Sequence, residues 1–147
     1  MTEDELTSNV LLVDDEEQFL DTLSQRLELR GIKVDTVTGG EEAMDKITAK
    51  KFDAIVLDLV MPGIDGMETL KRLKEKNPDI QIIMLTGKAT VKKGIEAMKL
   101  GAEEFLEKPV DLNVLMEKIK KATHNKMLLV EKSRQAEVKK ILKKKGW

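Results

Sequence analysis

Cysteine is absent from this chain, which excludes a disulfide framework, a thiolate metal centre and a cysteine nucleophile, and suits a reducing cytoplasm. Tyrosine is absent too, and the single tryptophan is the terminal Trp147, so the stacking groups a flavin-carrying electron-transfer protein needs are missing. The one histidine, His124, lies in a basic C-terminal stretch far from the acidic residues considered below, and reads as a surface residue rather than a catalytic base. No glycine-rich run ends in Lys followed by Ser or Thr, so a Walker-type nucleotide loop is excluded. No apolar run approaches the roughly 20 residues that span a bilayer. The opening MTEDELTSN is acidic and polar where a secretory signal has a basic start and an apolar centre, so a soluble, cytoplasmic protein is expected. With no helix-turn-helix pattern and only three phenylalanines, direct DNA readout by this chain is not expected either.

What is present is charge, unevenly placed. The net charge of -1 hides a division: residues 112–147 hold 11 of the 26 Lys/Arg and 3 of the 27 Asp/Glu, leaving 15 basic against 24 acidic in the rest. An acidic body therefore carries a basic tail.

Three short apolar runs, Val10 to Val13, Ile55 to Leu57 and Ile80 to Leu85, are rich in β-branched residues and too short for independent helices. They predict central strands buried on both faces. Ile32, Val34 and Thr36 alternate with Lys33, Asp35 and Val37, as in a strand with one wet face, and Glu103 to Leu106 supplies a fifth strand; both belong at sheet edges. Between them, Phe19, Leu20, Leu23 and Leu27 share a helical face, as do Met67, Leu70 and Leu73, and Val91, Ile95 and Met98. Ala43, Met44 and Ile47 mark a further helix over Gly40 to Lys50. Gly31, Pro78 and Gly101 fall where helix C-termini should be. Most of the eight methionines sit at core-periodic positions. Five strands alternating with helices imply a doubly wound α/β fold: a parallel sheet with helices on both faces and a C-terminal helical extension.

In such folds ligands gather at the C-terminal strand ends. Asp14 and Asp15 follow the first strand, Asp58 the third, Thr86 the fourth and Lys108 the fifth. Three carboxylates brought together repel unless a cation compensates, and hard oxygen ligands with room for water suit magnesium. Taken singly, Asp14 could be a helix cap and Asp58 a turn residue; successive strand ends make the joint reading stronger.

VLLVDDE at 10–16, IVLDLVMPGIDGME at 55–68, IIMLTG at 82–87 and EFLEKPVD at 104–111 closely resemble the receiver domains of two-component signalling, over roughly residues 9 to 122. The resemblance implies a flavodoxin-like strand order 2-1-3-4-5, with Asp58 as phosphoacceptor from a sensor histidine kinase or phosphotransfer protein. Asp15, Asp58 and the Val60 carbonyl would hold Mg²⁺, with Asp14 acting mainly through bound water. It further implies that Lys108 pairs with a phosphoryl oxygen, that the Thr86 hydroxyl bonds another, and that the peptide bond before Pro109 is often cis. Phe105 matches the ring that turns inward on phosphorylation, although phenylalanine lacks the hydroxyl of a tyrosine, and it also fits an ordinary edge-strand core position. Val60 and Lys88 match positions that tune lifetime; neither offers a carboxylate or amide to orient water, so slow hydrolysis of the acyl phosphate is expected. Pro62, Gly63 and Gly66 read structurally, shaping the loop beside the acceptor. An aspartyl phosphatase would need a second acid where Val60 stands.

The expected organisation is a polar segment over 1–8, a receiver over 9–122 and a basic helical tail over 123–147. The weak helix formers Thr123, His124 and Asn125 suggest a kink between receiver and tail. Met127, Val130, Val138 and Ile141 then fall near one stripe, interrupted by Arg134. Three uses of the tail stay open: packing back on the receiver, pairing with another chain, or docking an anionic partner such as nucleic acid or membrane; a homodimer could form through the tail or through the last receiver helices. The output is expected to be a downstream protein partner rather than turnover of an external substrate. The alternative is a receiver cut from a sigma-54-type, DNA-binding transcription activator.

Overall fold

The computed structural model describes residues 8–61, 63–87 and 91–146. The chain alternates strictly: β1 (Asn9–Val13), α1 (Glu17–Glu28), β2 (Lys33–Val37), α2 (Gly40–Ala49), β3 (Ala54–Leu57), α3 (Gly66–Lys76), β4 (Ile82–Thr86), α4 (Val91–Lys99), β5 (Glu104–Glu107) and α5 (Leu112–Lys144). The five strands form one parallel sheet in the order β2-β1-β3-β4-β5. This is the doubly wound, flavodoxin-like arrangement expected from the sequence.

Period-2 alternation within the apolar runs builds two cores. Leu11, Val13, Ile55, Leu57, Ile82 and Met84 point to one face, against Ala43 of α2, Leu70 and Leu73 of α3 and Ala97 of α4. Val10, Leu12, Val56, Ile83 and Leu85 point to the other, against Leu20, Leu23 and Leu27 of α1 and Leu115, Ile119 and Ala122 of α5. Continuous apolar runs are required because both faces are covered. The edge strand β2 departs from the simple one-wet-face expectation. Ile32 and Val34 pack on the α1 and α5 side, Thr36 is exposed, and Val37 turns into the opposite core, so both faces of this strand contribute.

Two expectations require correction. The α4 stripe of Val91, Ile95 and Met98 does not face the core: these side chains are 81%, 51% and 47% exposed, and Ala97 is the residue of α4 that is buried. A short helix over an edge of the sheet can bury a narrow line, and here the small side chain occupies it. Nor is the helix interrupted at Thr123 to Asn125, where a kink was expected. α5 runs unbroken for 33 residues, because Thr123 is buried, with its hydroxyl 2.9 Å from the Ile119 carbonyl and 2.8 Å from the Ser8 hydroxyl. Tertiary anchoring overrides weak propensity. Lys126 adds a bond to the Phe52 carbonyl at 2.6 Å and lies 3.8 Å from Asp53. From Met127 to Gly146 nearly all side chains are exposed, so the helix does not fold back on the receiver.

The loop after β3 is shaped by glycines and a cap. Gly63 has φ +80°, a conformation glycine adopts without penalty. Asp65 caps α3 by accepting the Glu68 N–H at 2.9 Å. A Cβ on Gly66 would lie 2.0 Å from the Asp58 carbonyl oxygen, so only glycine lets the start of α3 press against that backbone. Pro62 lies outside the described residues.

Candidate functional site

Parallel strands end on the same side, and this sheet brings the five polar groups named above to one rim. Carboxylate oxygens of Asp14, Asp15 and Asp58 lie within 4.8 Å of one another. Asp14 and Asp58 are buried and Asp15 is exposed, so the cluster opens toward solvent through Asp15. Lys108 Nζ donates to Asp14 Oδ2 at 2.7 Å and stands 3.9 Å from Asp58 Oδ2. The peptide bond between Lys108 and Pro109 is cis. Thr86 is buried and its side chain hydrogen-bonds Asp58, while the Val60 N–H lies 3.5 Å from Asp58 Oδ1.

Two participants were not picked out from the sequence. Glu16, at the N-cap of α1, places Oε1 3.4 Å from Lys108 Nζ, and the Phe19 ring centre is 4.1 Å from the same nitrogen. Lys108 is thus held by two carboxylates and a cation–π contact. Phe19 belongs to the apolar face of α1 and, four residues after Asp15, also stands beside the rim.

Phe105 is not at this rim. It pairs in register with Met84, is half-buried against the α2–α4 core and lies under Gly94, where a Cβ would be 3.6 Å from its ring. With Val91, Ile95 and Met98 it lines an open groove between α4 and β5. Val60 is exposed beside Asp58, and Lys88 lies outside the described residues.

The electrostatics follow from crowding. Burial pushes the Asp58 carboxyl above its ordinary pKa and the Asp14 charge adds to this, while Lys108, the Val60 N–H and the Thr86 hydroxyl pull it back without cancelling the rise. For Lys108, burial favours loss of the proton, but the hydrogen bond and charge of Asp14, with Asp58 and Glu16, outweigh it and raise the pKa. One lysine facing three clustered carboxylates leaves excess negative charge. An all-oxygen donor set with an exposed member fits a hydrated divalent cation.

A doubly wound sheet whose strand ends gather three acids opposite a lysine defines an α/β protein with an acidic rim suited to a hydrated cation. The chain belongs to the response regulator receiver domain family, which it matches over residues 10–120. It is 37% identical over 125 residues to the C4-dicarboxylate transport transcriptional regulatory protein DctD of Pseudomonas aeruginosa, covering 84% of this chain and 27% of that one. Among solved structures it resembles a CheY-like receiver domain protein from Methanospirillum hungatei, with 30% identity, a TM-score of 0.78 and 83% and 98% of the two chains covered. It also resembles a response regulator protein from Burkholderia pseudomallei solved with a phosphorylated aspartic acid, calcium ion and citrate, with 27% identity, a TM-score of 0.73 and 95% and 86% covered. The chain spans a quarter to a half of the length of the curated relatives it matches. Receivers are signalling modules that bind Mg²⁺ at an acidic pocket, and no helix among the described residues is long and apolar enough to cross a membrane.

Proposed function

We propose that Asp58 accepts a phosphoryl group from a sensor histidine kinase or phosphotransfer protein, and that the change at the rim alters binding of a downstream protein. The observation that carries this is the buried Asp58 carboxylate held by Thr86, with Lys108 3.9 Å away and two further acids within 4.8 Å. The phosphorylated aspartic acid and calcium ion of the Burkholderia neighbour support the same chemistry.

An Asp58 carboxylate oxygen attacks the phosphorus of a phosphohistidine; the new O–P bond forms as the P–N bond breaks, and the imidazole nitrogen keeps the electron pair. Asp15, Asp58 and the Val60 carbonyl would hold Mg²⁺, with Asp14 reaching it through water; the ion, when bound, offsets the charge of carboxylates and phosphoryl group. Lys108, poised between Asp14 and Asp58, pairs with a phosphoryl oxygen, and the Thr86 hydroxyl, already at Asp58, donates to another. Val60 cannot orient water, which favours a long-lived acyl phosphate. The groove between α4 and β5, floored by Phe105, is the surface through which the state is read. A cytoplasmic site of action fits these roles.

Intact-mass measurement with Mg²⁺ and a small-molecule phosphodonor tests the assignment. One phosphoryl group is expected on the wild type and none on Asp58→Asn; equal labelling of both would remove Asp58 from the role. A second reading, a receiver that works within a longer DNA-binding activator, is favoured by the match to about a quarter of DctD.

A further inference from the structure

The far half of α5 presents an exposed apolar stripe whose residues are arranged symmetrically about one position. Val130 and Val138 lie four residues either side of Arg134, Met127 and Ile141 seven, and Glu131 and Glu137 three. The four apolar side chains are 47–58% exposed. Spacings of three and four place them with Arg134 on one side of the helix, while Lys132, Lys139, Lys140 and Lys143 fall on the other.

A stripe that reads the same in both directions is self-complementary under a two-fold axis across it, the condition for an isologous contact. We propose that residues 127–145 of α5 pair antiparallel with the same segment of a second copy, with the axis at Arg134. Met127 then meets the second copy's Ile141, and Val130 meets its Val138. The two Arg134 side chains approach at the axis, where each finds Glu131 and Glu137 of the other helix about 4.5 Å away along its length. Arg134 Nη2 is already 3.3 Å from Glu131 Oε1 within its own helix, so the two acids per chain can share two guanidinium groups across the contact.

Charge selects this direction. Lys139, Lys140, Lys143, Lys144 and Lys145 crowd the end of the helix. Parallel pairing would set both clusters side by side. Antiparallel pairing separates the two clusters by the length of the segment and sets each beside residues 123–129 of the other helix, next to the point where Lys126 is tied to the Phe52 carbonyl and lies 3.8 Å from Asp53. A lipid surface accounts for the basic face but not for Glu131 and Arg134 within the apolar stripe. Two paired helices of this length form a small interface, so a weak dimer is expected, with dissociation in the micromolar range.

Sedimentation of the full chain should show a monomer–dimer equilibrium that Val138→Asp abolishes and added salt weakens. Val138 is exposed, so circular dichroism should leave the fold of this variant unchanged. Because the chain has no cysteine, orientation can be read directly. An equimolar mixture of Met127→Cys and Ile141→Cys should form a crossed disulfide on mild oxidation, while neither variant crosslinks to itself. A monomer at all concentrations overturns the proposal, as does a dimer indifferent to Val138→Asp or self-crosslinking of Met127→Cys alone. Sedimentation of the monomer with anionic phospholipid vesicles would assign the stripe to lipid instead. The pairing does not depend on phosphorylation: Asp58→Ala should dimerise as the wild type does, so failure of either reading leaves the other standing.

Discussion

Substituting Asp58 by Asn removes one charge from the crowded rim while keeping its shape, and the direction of the stability change follows from the structure. At an effective dielectric of 20, the repulsion from Asp14, the carboxylate whose charge raises Asp58, is about 3.5 kcal/mol at the 4.8 Å limit of the cluster, and the attraction of Lys108 at 3.9 Å is about 4 kcal/mol. These nearly cancel, so burial of the charge decides, consistent with a pKa raised chiefly by desolvation. A carboxyl whose folded pKa lies above its unfolded one contributes stability below the unfolded pKa and loses it as pH rises through the folded pKa. At neutral pH without metal, Asp58→Asn should therefore be the more stable protein, by about 1 kcal/mol. The gap should close as pH falls below the carboxylate range. Saturating Mg²⁺ should reverse the order, because a cation at a hundred times its dissociation constant adds about 2.7 kcal/mol to the wild type and less to a variant with one carboxylate fewer. Urea unfolding with and without Mg²⁺, across pH, measures all three. A variant less stable than wild type in metal-free neutral buffer would refute the account of the rim as an electrostatically costly cluster.

Gly66→Ala should cost about 3 kcal/mol, because its methyl must displace the Asp58 backbone, and should slow phosphorylation; chemical denaturation and phosphodonor labelling report both. Lys74 joins the Glu103 carboxylate at 2.8 Å and the Ile80 carbonyl, fastening α3 to the starts of β4 and β5. Lys74→Met should lower stability by about 2 kcal/mol, or about 5 °C in Tm by calorimetry. On α4, Ile95→Gln should change stability by less than about 0.5 kcal/mol, whereas Ala97→Gln should unfold much of the population; equal effects would return the stripe to the core.

Much of the fold was legible because burial on both faces writes itself as uninterrupted Val, Ile and Leu, and β1, β3 and β4 are such runs. The rim was legible for a related reason. Once strands are parallel, residues that follow them share an edge, whatever their separation in sequence. Glu16 escaped notice because its tie to Lys108 spans 92 residues, and nothing local in either segment signals it. Phe19 was hidden by its own hydrophobicity, which explains a helix face without the cation over its ring. The α4 error has a different cause: a period marks a face but not what lies against it, and Val91, Ile95 and Met98 have a face with open space beyond. At Thr123, propensity suggested a kink where two hydroxyl bonds and burial in the core keep the helix continuous.

The uninterrupted α5 also has a mechanical meaning. Thr123 on Ser8, and Lys126 on the Phe52 carbonyl, form a pivot at the sheet edge opposite the acidic rim. Beyond it the helix projects, as an arm, clear of its own receiver by about 30 Å. A tilt of about 10° at the pivot, the scale of a small repacking of Leu115 and Ile119, sweeps the arm's tip through about 5 Å. An adjustment too slight to see in the core becomes, at Lys143 and Lys144, a displacement comparable to a full helical turn.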